Sequence, residues 1–163
     1  VPGNKVWQVS EVVEEVITSY GYQPVRNLSG HGLGRYQIHT DPTIPNSKNS
    51  INYEFKEGQT IAMEVFVTNG VGWVDEKKPS LIYSLVSSRL PRDRNERKII
   101  EFISKNFKTL PFAKRWITFF SPSLRDFYLN RLVRQGILKE YPILVEKSKG
   151  LVAQEEETII VRP

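Results

Sequence analysis

The sequence predicts an α+β protein. Three observations carry that expectation: an apolar repeat of helical period near the start, a β-rich run over residues 60–68, and a helical stretch from residue 80 to 136 that gives way to two further β-type runs.

Taken in order, Val6, Val9, Val12, Val13, Val16, Ile17 and Tyr20 fall three or four residues apart. This spacing predicts an amphipathic helix, with Ser10 as a cap near its start and Gly21 just past its end. Residues 25–28 lead into the glycine-rich GHGLG at 30–34, and Tyr36-Gln37-Ile38-His39 then reads as a strand that Pro42 and Pro45 end as loop. Residues 45–53, PNSKNSINY, are the one stretch whose composition suits disorder. A turn at 55–59 precedes TIAMEVFVT at 60–68, bounded by Asn69-Gly70 and read as a strand. That run is apolar almost throughout, which suits burial on both faces and makes Glu64 at its middle the odd residue.

Beyond residue 80 the apolar residues again take helical spacing. Ile99, Ile100, Phe102, Ile103 and Phe107 form one set; Phe112, Trp116, Ile117 and Phe120 a second; Leu124, Phe127, Tyr128, Leu132 and Val133 a third. The third opens on Ser123-x-x-Asp126, a capping signature, and closes at Gly136. Residues 137–145 and 151–161 follow as β-type runs joined by EKSKG, expected to pair as a hairpin; helices followed by a hairpin resemble a winged helix. The expected division is therefore one body from 1–79 and 146–163, and a second from 80–145.

Composition narrows the chemistry. A chain of 163 residues, 39% hydrophobic and 11% aromatic, can bury a substantial core. It has no cysteine, so disulfides and thiolate ligands are excluded, any metal must use His, Asp or Glu, and a reducing, cytoplasmic setting is favoured. No apolar run approaches the roughly 20 residues that cross a bilayer, and the opening residues lack the apolar core of a signal peptide, so neither membrane insertion nor export is expected. The start on Val-Pro-Gly, without methionine, reads as mid-protein. The net charge of +5 is concentrated: residues 85–149 carry 15 Lys/Arg against 6 Asp/Glu, whereas residues 1–84 carry 7 against 9.

Only two histidines occur, His31 and His39. A lone histidine is often structural, but His31 lies between Gly30 and Gly32, where the backbone is free to approach something closely. Reading GHGLG as a phosphate cradle requires a strand before it and a helix after it, and Tyr36 to His39 does not read as a helix start. Glu64 requires a cation, because an unpaired buried carboxylate costs several kcal/mol. A lysine, an arginine or a metal satisfies that need equally. Glu155-Glu156-Glu157 reads first as a solvated strand end, but strand alternation puts Glu156 on one face and its two neighbours on the other. One imidazole and two carboxylates suit a divalent cation such as Mn²⁺, Fe²⁺, Co²⁺ or Zn²⁺, although spacing alone does not group them.

Five segments, in order, resemble a known family: NLSGHGLGRYQIH at 27–39, EGQTIAMEVF at 57–66, TLPFAKRW at 109–116, YPIL at 141–144 and AQEEETIIV at 153–161. The chain resembles the C-terminal portion of type 2 methionine aminopeptidases of archaeal type, across essentially its whole length. The resemblance implies half of a pita-bread fold with a helical insert, and removal of the N-terminal methionine from nascent polypeptides using two divalent ions. It implies that His31, Glu64 and Glu156 are metal ligands, Glu64 also shuttling a proton and Glu156 bridging the ions. It further implies that His39 hydrogen-bonds substrate near the scissile bond, and that Ile38 and Tyr141 line the methionine pocket.

The chain departs from the family in two respects. Glu155-Glu156-Glu157 stands where members commonly have Phe-Glu-His. The two ligand aspartates and the pocket histidine of the family's first half have no counterpart, since Asp41, Asp75, Asp93 and Asp126 do not reproduce the aspartate spacing. An N-terminal half is thus the implied partner, and this chain alone is expected to be inactive. Relatives that keep the fold but lose metal ligands bind ribosomes or RNA, for which Arg89, Arg92, Arg94, Arg97 and Lys98 offer a basic footprint.

Overall fold

The fold is described for all 163 residues of a computed structural model. The chain forms two compact units, residues 1–75 with 144–163, and residues 76–143.

The first unit begins with α1 (Val6–Ser19). Its start is one residue after Lys5, whose backbone N–H donates to Gln8 Oε1 at 2.8 Å. Ser10, expected as a cap, lies a turn inside the helix and is fully buried. The expected C-terminal glycine is present: Gly21 has φ +78°, and its N–H donates to Thr18 O at 2.9 Å.

Five strands follow in this unit: β1 (Gln23–Pro24), β2 (Ser29–Gly34), β3 (Gln37–Pro45), β4 (Thr60–Thr68) and, after the second unit, β8 (Val152–Ile160). All pairings are antiparallel, in the order β1-β4-β2-β3, with β8 along the full length of β4. The strand over 60–68 has the expected bounds. β3, however, continues through Pro42 to Pro45 instead of ending as loop. The reason is that β3 is an edge strand with a register shift between the pairs Gly32↔Thr40 and His31↔Thr43. Pro42 falls within that irregularity, where its missing N–H costs no ladder bond. The stretch suited to disorder is instead tied down, with Val6 N–H donating to Tyr53 O and Trp7 N–H to Ile51 O.

Alternation gives this sheet two faces. Ile61 of β4 and Ile44 of β3 face α1 and form a core with Val6, Phe55 and Val161. Glu64 and Phe66 take the other face, which is polar.

The second unit takes most of β5 (Val74–Leu85), then α2 (Arg94–Asn106), β6 (Phe112–Ala113), a 3₁₀ turn at Lys114–Trp116, α3 (Pro122–Arg134) and most of β7 (Leu138–Glu146). The helical reading thus fails at both ends of its first part. Residues 80–85 belong to a strand, and of the set Phe112, Trp116, Ile117 and Phe120 the first lies in a two-residue strand, the second in a 3₁₀ turn and the last two beyond it. These residues pack into an aromatic cluster, with Phe107 stacked on both Phe112 and Trp116, so their spacing reflects packing and not a helix. The cap of α3 is Ser121, which accepts from Leu124 N–H with Pro122 in the first turn; Ser123 lies inside the helix. Ile99, Ile103, Ile117, Leu129, Leu132 and Ile137 are fully buried in this unit's core.

The expected hairpin does not form. β7 joins a three-stranded sheet in the order β6-β5-β7, whereas β8 pairs with β4. The connection between them folds around the buried Glu146 carboxylate, which accepts from the N–H groups of Val71, Ser148 and Gly150 and so directs the chain onto β4.

Candidate metal centre

The polar face of the first unit's sheet carries an open cleft of about 600 Å³, lined among others by Asn27, His31, His39, Asp41, Thr43, Glu64 and Phe66. His31 projects from β2 and Glu64 from β4. Both are shielded from water, their side chains being 8% and 17% exposed.

The glycines around His31 allow this approach. A Cβ on Gly30 would stand 2.5 Å from Ala62 O, and one on Gly32 would stand 2.1 Å from Asp41 O. Both distances are impossible for a side chain, so β2 packs between β4 and β3 only with glycine on each side of His31. The close approach expected from the sequence is thus to the neighbouring strands, and the absence of a helix after GHGLG removes the phosphate-cradle reading.

The imidazole is oriented by its own strand. His31 Nδ1–H donates to Gly32 O at 3.0 Å, so that in the neutral ring Nε2 is the acceptor. Nε2 faces Glu64 Oε1 at 3.4 Å. The His39 ring meets His31 edge-on, with centroids 4.3 Å apart.

Glu156 enters from β8, directly opposite Glu64 in the β4–β8 ladder. Opposed residues hold their Cβ atoms about 5 Å apart on the same face, so two carboxylates are juxtaposed there. The electrostatics reflect this. Burial raises the Glu64 pKa above its ordinary value, the nearby Glu156 charge raises it further, and His31 only partly offsets the two. Burial does not distinguish Glu156 from its neighbours, because Glu155, Glu156 and Glu157 are all exposed on an edge strand. The distinction is one of register alone: Glu155 faces Val65 and Glu157 faces Met63.

These donors fit a divalent cation. An acceptor nitrogen held by a backbone hydrogen bond is the usual state of a metal-bound histidine, and two opposed carboxylates are stabilised by a cation between them. No group of three His, Asp or Glu side chains is arranged to hold an ion within this chain.

Two expected site residues, Ile38 and Tyr141, are not among those lining this cleft. Ile38 is half-buried, and alternation along β3 turns it to the face opposite His39. Tyr141 belongs to the second unit, where its hydroxyl is 3.3 Å from Ser84 Oγ and its ring lies 5.1 Å from Lys139 Nζ.

Sequence reasoning missed Asn46. Its fully buried amide donates to Glu64 O at 2.9 Å and accepts from Phe66 N–H at 2.6 Å, clasping the backbone on either side of Val65. The only local signal is an asparagine following Pro45, which reads as a turn.

Comparison with known proteins shows the family. Residues 1–162 match metallopeptidase family M24. The chain is 42% identical over 159 residues to a methionine aminopeptidase of Archaeoglobus fulgidus, covering 98% of this chain and 53% of that protein. It is 38% identical over 160 residues to a methionine aminopeptidase of Methanocaldococcus jannaschii, covering 98% of this chain and 54% of that protein. The chain therefore spans about half the length of the curated relatives it matches. Among solved structures, a thermophilic Arx1 superposes with a TM-score of 0.82 at 18% identity, covering 96% of this chain and 43% of that one, a likeness of fold. The α+β, pita-bread expectation accords with these matches, and the chain belongs to metallopeptidase family M24.

Proposed function

We propose that the full-length protein carrying this chain is a metal-dependent methionyl aminopeptidase, cytoplasmic, acting on nascent polypeptides with a small second residue. The observation that carries this reading is the grouping of His31 Nε2 and Glu64 at 3.4 Å with Glu156 paired opposite Glu64. The names of the relatives at 38–42% identity support it.

In this reading His31, Glu64 and Glu156 are this chain's share of the ligands for two divalent ions (Co²⁺, Mn²⁺, Fe²⁺ or Zn²⁺). The two aspartates come from an N-terminal half. Bound divalent ions supply an acidified water and polarise the scissile carbonyl. Glu64 takes a proton from the attacking water and delivers it to the leaving amine. His39, on the wall of the same cleft, donates to the substrate oxygen as charge develops. Residues 80–145 form the helical insert. No helix is long and apolar enough to cross a membrane.

The assay is release of methionine from a Met-Ala-Ser peptide with Co²⁺ or Mn²⁺. The full-length protein turns over and this chain alone does not; robust turnover by the chain alone overturns the shared-ligand reading. A second reading, a non-catalytic relative that contacts ribosomal RNA, draws on the 15 Lys/Arg against 6 Asp/Glu in residues 85–149. It predicts steeply salt-dependent RNA binding and no tight divalent site in the full-length protein.

A further inference from the structure

Three consecutive glutamates on one strand pose a problem of choice, because any of them brings a carboxylate to Glu64 if β8 slides by one residue along β4. In most sheets the hydrophobic pattern prevents such a slip by burying one face. Here the residues of β8, VAQEEETII, show no apolar–polar alternation, so pattern supplies little restraint. The C-terminal end restrains one direction only. Val161 is buried in the core and exchanges backbone hydrogen bonds with Gly58 and Gln59. A slip that pulls Arg162 into that position buries a cation, whereas the opposite slip replaces Val161 with the apolar Ile160 and brings Glu155 opposite Glu64.

The N-terminal end is built differently. Glu146, 3% exposed, accepts from Val71 N–H at 2.7 Å, from Ser148 N–H and Oγ–H at 2.7 Å each, and from Gly150 N–H at 2.9 Å. Burial by itself raises the Glu146 pKa, but the hydrogen bonds from Ser148, Gly150 and Val71 outweigh it and hold the carboxyl at about 2, so it is ionised under all ordinary conditions. The fit is close: a Cβ on Gly70 would stand 2.3 Å from the Glu146 carboxyl carbon, and one on Gly150 would stand 2.6 Å from Gly70 N. The next residue, Leu151, donates its N–H to Asn69 Oδ1 at 2.8 Å and accepts from Thr68 Oγ1 at 2.7 Å. The ladder then starts at Val152↔Thr68.

We propose that Glu146 is a positioning residue that locks the register of β8 on β4 and so selects Glu156, rather than Glu155, as the carboxylate opposite Glu64. The lock sits at the far end of β4 from the strand's start and touches none of the candidate ligands. Its functional meaning rests on the metal-site reading above, but its physical action, fixing one register of β8 on β4, does not.

The test reads register directly; this chain has no cysteine, and any in the rest of the protein is first replaced by serine. In the full-length protein, a Val67→Cys/Ala153→Cys pair reports the observed register, and a Val67→Cys/Val152→Cys pair reports the slip toward Glu155. With Glu146 intact, a short thiol crosslinker joins 67 to 153 and leaves 67 and 152 unlinked, because the latter two side chains lie on opposite faces. With Glu146→Ala, the 67–152 crosslink appears and the 67–153 yield falls in proportion. Glu146→Gln and Gly70→Ala, which weaken or crowd the same carboxylate seat, give the same redistribution to a smaller degree and read the outcome should Glu146→Ala not fold. A structural residue without this role lowers thermal stability while the crosslink stays wholly at 67–153; that result overturns the proposal. Titration of the Glu156→Gln protein with Mn²⁺ separates the two readings: undiminished binding refutes the ligand role of Glu156 while leaving the register result intact.

Discussion

Asn46 offers the most quantitative perturbation of the site's framework. Its side chain is fully buried, donates to Glu64 O at 2.9 Å and more weakly to Leu28 O at 3.4 Å, and accepts from Phe66 N–H at 2.6 Å. Asn46→Ala leaves a buried N–H and a buried C=O without partners in a space that the protein seals from water. Each orphan costs roughly 1–3 kcal/mol, so the two well-formed bonds together are worth about 3 kcal/mol, with the longer contact to Leu28 adding little. Asn46→Asp is the informative control. It keeps the acceptor for Phe66 N–H but turns a carboxylate oxygen toward Glu64 O, so it destabilises at neutral pH and recovers as acid protonates it. Urea unfolding of the metal-free protein, followed by Trp7 and Trp73 fluorescence in the same unit, measures both. A loss below about 1 kcal/mol for Asn46→Ala, the value of a single net hydrogen bond, refutes the reasoning. So does an Asn46→Asp protein as stable as the parent at pH 7.

Two further perturbations follow from the geometry. Gly32→Ala places a Cβ 2.1 Å from Asp41 O, a backbone atom that cannot step aside, so β2 and β3 must separate. The expected cost is about 1–3 kcal/mol in the same unfolding assay, and a neutral substitution contradicts the packing argument. Glu146 supplies a pH dependence. Its folded-state pKa of about 2 lies below the ordinary glutamate value of 4.5, so its contribution to stability is present above pH 4.5 and is lost as the pH falls toward 2. Glu146→Gln therefore flattens that acid limb of the stability profile, and an unchanged limb shows that the carboxylate is not held as described.

Several elements are legible in the sequence because one local signal dominates them. The α1 repeat ends where Gly21 adopts positive φ, and the β4 strand is bounded by a turn before it and Asn69-Gly70 after it. Glu156 is separable from its neighbours because a strand has a period of two, and the pairing with Glu64 obeys that period. The misreadings share a physical cause, which is that long-range pairing overrides local pattern. Residues 80–85 fall in the stretch read as helical yet belong to β5, where Ile82 and Tyr83 pair with β6. Pro42 reads as a strand terminator yet is absorbed at an irregular edge. β7 and β8 are neighbours in sequence with a five-residue connection, but the buried Glu146 takes up that connection and sends β8 to β4. Asn46 was illegible for the same reason: its partners, at Leu28, Glu64 and Phe66, are distant in sequence.

The central claim is that His31, Glu64 and Glu156 act together as ligands. Calorimetric titration of the metal-free, full-length protein with Mn²⁺ tests it most directly, comparing the parent with His31→Ala, Glu64→Gln and Glu156→Gln, and with Glu155→Gln and Glu157→Gln as neighbours of equal charge. Removing even an outer-shell partner of a metal site costs about 10–100-fold in affinity, so each ligand substitution is expected to weaken binding by at least that much while Glu155→Gln and Glu157→Gln leave it unchanged. Parent-like affinity in the Glu156→Gln protein, or equal losses from all three glutamates of the triplet, contradicts the account.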